Sequence, residues 1–166
     1  MASSEGTAGM FKVDVGSSRE YVSFDPDRKS DLKKLDALIR GTVPKLTPHF
    51  HAGTPAGEAG MRMKMLGYGK SSYTTKAGKT TPWPVIGIAL QRSYISVYFA
   101  VRRNGTPITA RYAGKLGELK VGRNNFSFEK FDDLKVDALK ALLLEAQTIF
   151  TKDPIYKTRR KARPKD

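Results

Sequence analysis

Two strongly apolar runs stand three residues apart in the middle of the chain, Trp83-Pro-Val-Ile-Gly-Ile-Ala-Leu90 and Tyr94-Ile-Ser-Val-Tyr-Phe-Ala-Val101, with Gln91-Arg92-Ser93 between them. Runs of this length and spacing read as neighbouring antiparallel strands joined by a hairpin turn. In the second run Ile95, Val97, Phe99 and Val101 fall on one face and Tyr94, Ser96 and Tyr98 on the other. A sheet begun this way needs an apolar cover, and the rest of the chain has to supply it.

Two helical stripes can do so. Asp25-Pro26-Asp27 offers a cap, a proline at the first helical position and a first-turn acid, after which Leu32, Leu35, Leu38 and Ile39 recur at helical spacing up to Gly41. Near the other end, Asp137 caps a stripe of Leu139, Leu142, Leu143, Ala146, Ile149 and Phe150 that stops before Pro154. Between the first helix and the hairpin, Pro44, Pro48 and Pro55 with the glycines and alanines after His51 predict mostly loop. Met61, Met63 and Met65 then alternate with Arg62 and Lys64 as a strand, and Tyr73-Thr-Thr-Lys precedes a turn at Gly78-Lys79. Tyr112, Leu116 and Leu119 suggest a short helix closed by Gly122, and Phe126 and Phe128 alternate as a further strand. The layout is one α+β domain over residues 21–153, with a mostly antiparallel sheet packed by the N- and C-terminal helices. Residues 1–20 read as a flexible N-terminus and 154–166 as a basic, disordered tail.

The 166 residues carry 30 Lys and Arg against 16 Asp and Glu, a formal charge of +14. Residues 1–58 are neutral in sum, whereas 61–123 hold twelve bases and the single acid Glu118. The excess therefore lies within the folded region as well as in the tail, where Arg159, Arg160, Lys161 and Arg163 are concentrated. Such a balance points to anionic partners, either a small anionic ligand or nucleic acid held without sequence preference. With no cysteine, no leader-like basic and apolar start, and no apolar run long enough for a bilayer, the chain reads as cytoplasmic, without a membrane partner. The oligomeric state is open.

Lys120-Val-Gly122-Arg123 has the makings of an anion site, with Lys115 one helical turn and a little more upstream; the plainer reading makes Gly122 a left-handed helix end among solvated bases. Arg103, with Tyr68, Tyr73 and Tyr98 to pack the body of a ligand, completes the candidate set. Tyr94, Ser96 and Tyr98, with Arg92, Arg102 and Arg103, also form either a stacking surface for single-stranded nucleic acid or the wet face of a half-covered sheet. Gly67-Tyr-Gly-Lys-Ser-Ser fails as a phosphate loop, since the required first glycine falls at Lys64, and it does not complete a dinucleotide fingerprint. No cofactor is indicated. His49 and His51 lack a third metal ligand, and no Gly-x-Ser-x-Gly segment supports a nucleophile. Glu129, Asp132, Asp133 and Asp137 are the best hard-cation ligands, with caps and turns as their ordinary roles. The reading leans to binding without catalysis.

The order Gly67-Tyr-Gly69 with Tyr73, Trp83 leading into Val85-Ile-Gly-Ile-Ala-Leu, Ser96-Val-Tyr, Lys115-Leu-Gly117 through Gly122-Arg-Asn-Asn-Phe126-Ser-Phe128, and Leu134-Lys-Val-Asp137 resembles the YdhG-like family, domain of unknown function 1801. The resemblance runs from about Tyr21 to about Phe150. It implies a compact frataxin-like fold, and iron-chaperone relatives add iron delivery through carboxylates as a further alternative. The basic segment 102–111 and the tail after Pro154 depart from that pattern.

Overall fold

The computed structural model describes residues 11–53, 63–74, 78 and 80–153, without the side chains of Tyr73 and Thr74. Among them the chain forms three α-helices, α1 (Ser18–Ser23), α2 (Lys29–Thr42) and α3 (Val136–Lys152). Eight strands accompany them: β1 (Pro48–His51), β2 (Met65–Thr74), β3 (Thr80–Leu90), β4 (Ile95–Phe99), β5 (Arg102–Arg103), β6 (Thr106–Pro107), β7 (Lys120–Val121) and β8 (Asn125–Phe128). The fold is α+β. Six strands make one antiparallel sheet in the order β1-β2-β3-β4-β8-β7, and β5 and β6 pair separately.

The central hairpin forms as the apolar runs require, with Ile86 opposite Phe99, Ile88 opposite Val97 and Leu90 opposite Ile95, and Gln91 N–H donating to the Tyr94 carbonyl at 2.8 Å. Its inner face continues through Leu66 and Tyr68 on β2 and Phe126 and Phe128 on β8. Those side chains share one core with Leu32, Leu35 and Ile39 of α2 and the whole expected stripe of α3, from Leu139 to Phe150. Pro82 and Pro84 sit in β3 beyond the end of β4, where the strand has a neighbour on one side only and a missing N–H costs nothing.

Several local expectations need correction. The α2 cap is Arg28, not Asp25; Asp25 instead folds a turn, accepting from Asp27 N–H at 3.0 Å and from Arg28 Nε at 2.8 Å. Residues 48–51 are a strand, because pairing with Met65 to Tyr68 satisfies a backbone that has no alternating pattern of its own. No helix runs from Tyr112 to Gly122. A 3-10 turn at Thr109–Tyr112 gives way to Gly114 and Gly117 at φ 82° and 127°, which a helix cannot contain, and the chain enters β7. Gly122 closes the β7–β8 hairpin, its N–H donating to the Asn125 carbonyl at 2.7 Å, and it is not among the left-handed glycines. The packed fold also begins before Tyr21: Val13 is in the core, and Ser17 caps α1 by accepting from Glu20 N–H at 3.2 Å.

Candidate functional site

Where α1 and α2 cross the β1–β2 end of the sheet they leave a cleft of about 620 Å³. Helix α2 presents Lys29, Lys33, Asp36 and Arg40 to it, a repeat of four, three and four residues that keeps one face of a helix. Arg19 comes from α1, and Leu66, Gly67 and Tyr68 from β2. The one carboxylate lining the cleft among the described residues, Asp36, is fully engaged. Arg40 Nε donates to both Asp36 oxygens at 3.0 Å, and the Tyr68 hydroxyl donates to Asp36 Oδ1 at 2.5 Å. Among the described residues Arg19, Lys29 and Lys33 have no carboxylate partner, so four cations meet one acid there. An anion entering here meets charge that the protein has not already neutralised.

The floor is rigid. Tyr68 is buried, and burial together with the Asp36 charge and hydrogen bond pushes its phenol far above the ordinary value, so it stays a donor. On β1, His49 Nε2–H donates to the Gly69 carbonyl at 3.0 Å, which fixes that tautomer, and burial pulls its pKa below the ordinary value. Gly67 makes room for this ring: a Cβ there would come within 2.5 Å of the imidazole. His51 is also buried and drawn down by burial; its ring meets Trp83 edge-on at 5.5 Å, and its Nε2 has no hydrogen-bond partner among the described residues. Among the described residues no three His, Cys, Asp or Glu side chains converge as a metal would need. No described helix is long and apolar enough to cross a membrane.

The residues singled out in the sequence go to different places. Tyr68 lines the cleft, but as a buried floor whose hydroxyl is already used. Lys120 lies on β7 at the opposite rim of the sheet, in a depression of about 320 Å³ shared with Glu118, Glu129 and Asp133. Three carboxylates around one lysine suit no anion. Arg123 is exposed in the β7–β8 turn, and the Gly122 amide that an anion there would need is spent inside the turn. Arg103 is taken up by Glu145, and Lys115 sits with its Nζ 5.9 Å from the Tyr112 ring centre. The structure thus brings Arg103 and Lys115 to one neighbourhood and keeps Lys120 and Arg123 out of it. Tyr98 is half-buried on the sheet face turned from the helices, Ser96 is buried and bonded to Ser127 at 2.8 Å, and Tyr94 at the strand's start is 42% exposed, so the open part of this row is Tyr94. The side chain of Tyr73 and the tail residues Arg159, Arg160, Lys161 and Arg163 lie outside the described residues, as do Arg62, Met61 and Lys79.

Compared with known protein families, curated proteins and solved structures, the chain matches none. Sequence reasoning missed Arg19, Lys29 and Lys33, because residues 1–58 sum to zero and hide a helix face that does not. The usable signal was the spacing of Lys29, Lys33 and Arg40 on the polar side of the Leu32, Leu35, Ile39 stripe.

Proposed function

We propose that this chain is a YdhG-like, frataxin-related module that binds a small anionic or phosphate-bearing ligand, without catalysis, in the cleft between α1, α2 and β2. The observation that carries the reading is the trio Arg19, Lys29 and Lys33 lining one concavity while the one carboxylate that lines it among the described residues is consumed by Arg40 and Tyr68. A volume of about 620 Å³ is that of a metabolite site. The anionic group meets the two lysines and Arg19, and the body of the ligand lies against Val22 and Leu66. The family resemblance is part of the same proposal and rests on the order of the motifs from Gly67 to Asp137.

Titration with inorganic pyrophosphate, followed by amide shifts and by calorimetry, tests it. The wild type is expected to saturate, with shifts centred on Ser18, Arg19 and Lys33. Lys29→Gln/Lys33→Gln is expected to weaken binding tenfold or more, since each charge-assisted bond contributes about 1.5–3 kcal/mol. No saturable shift in the wild type, or equal affinity in the variant, overturns the site.

A further inference from the structure

Residues 102–111, the basic segment that departs from the pattern the sequence resembles, build a small device of their own. Arg102 pairs with Pro107 and Arg103 with Thr106, and the two-residue turn Asn104-Gly105 has φ of 53° and 79°. Positive φ at both positions gives the turn whose twist matches that of the paired strands. Arg102 Nη1 donates across it to the Gly105 carbonyl at 3.3 Å. Its base, Pro107 to Thr109, is buried, while 102–106 are exposed.

Behind the ribbon stands Glu145 of α3, whose side chain is only 10% exposed. Its Oε2 accepts from Arg103 Nε at 2.9 Å and from Arg111 Nη1 at 2.5 Å, and its Oε1 accepts from the Tyr112 hydroxyl at 2.9 Å. The two arginine side chains remain 49% and 55% exposed. One anchored carboxylate therefore holds two guanidiniums by part of their N–H sets and leaves the rest directed at solvent, with much of the rotamer entropy already lost before any ligand arrives.

We propose that this ribbon, with Arg103, Arg111 and Lys115, is a sequence-independent seat for the phosphodiester backbone of nucleic acid, distinct from the α1–α2 cleft. Glu145 already occupies the seat between the guanidiniums, so a single compact anion cannot take both in bidentate fashion. What remains is a set of separate outward edges, which suits an anion repeated along a chain. Three cations against one carboxylate leave the patch positive, and a chain of net charge +14 gains most from a partner dense enough to release condensed counterions.

The test is fluorescence anisotropy of a short mixed-sequence single-stranded RNA with the full chain over a series of salt concentrations. Arg103→Gln/Arg111→Gln is expected to flatten the slope of log K against log salt by about 1.4, at about 0.7 per phosphate contact on a single strand. Lys115→Gln, which leaves the Glu145 contacts alone, is expected to lose about 0.7 and covers the case where the double variant does not fold. A wild-type slope in folded variants overturns the proposal. So does an equal loss in Lys29→Gln/Lys33→Gln, which makes the attraction one of net charge alone, or binding of polyglutamate as tight as that of RNA.

Discussion

Tyr21 shows how much one side chain can join. It lies in α1 with its ring buried and 6.4 Å from that of Phe50, yet its hydroxyl accepts from Leu90 N–H at 2.7 Å and donates to the Lys64 carbonyl at 3.0 Å. One oxygen thus closes the backbone of two strand ends, and burial pushes the phenol up to about 12. Tyr21→Phe keeps the shape and leaves both backbone groups without a partner. We expect it to cost about 1–3 kcal/mol, read as a lower urea midpoint at unchanged m-value; a loss within error would show that water replaces the hydroxyl. The sequence marked this residue only as the start of the domain, because its partners lie 43 and 69 residues away and pairings at that distance leave no local pattern.

At the scale of elements, the segment from Ile108 to Val121 is held by backbone contact rather than by regular structure. Lys135 N–H donates to the Leu116 carbonyl at 2.9 Å, and a Cβ on Gly117 would lie 2.4 Å from the Asp133 carbonyl oxygen, at a φ of 127°. Gly117→Ala therefore meets both a clash and a strained backbone. The expected cost is about 2–3 kcal/mol, checked by thermal unfolding, with Gly114→Ala as the comparison because nothing lies within 4 Å of a Cβ there. Elements whose burial repeats with a fixed period were legible: the stripe of α3 and the alternation of β8 are found where the spacing put them, and Ile95, Val97 and Phe99 of β4 are buried as expected, although Ser96 between them is buried too. Those defined by a partner were not. Pro48-His-Phe-His is a strand only because β2 lies beside it, and the spacing of Tyr112, Leu116 and Leu119 imitates a helix while left-handed glycines break it. The candidate site fared likewise, since charge summed along the chain says nothing about which helix face carries it.

For the whole molecule, cations that look like one mid-chain block separate into the β5–β6 ribbon and an acid-rich rim at β7, while the α1–α2 cleft draws its bases from positions 19 to 40, outside that block. Both histidines sit at the β1 edge and are held neutral by burial, below the ordinary 6.5. A base with a lowered folded pKa means that the unfolded chain binds more protons as the pH falls through its own value, so stability declines with acid. We expect urea midpoints to be level from about pH 8 to about pH 7 and to fall below about pH 6.5, with the fall reduced in His51→Phe. A level profile down to about pH 5 would contradict the buried neutral rings. The six-stranded sheet ends in strands of four and two residues. Where β2 and β3 run on past those rims as a pair, Pro82 and Pro84 interrupt the outer edge of β3, so a second copy finds no continuous row of amide donors along that strand on which to extend the ladder.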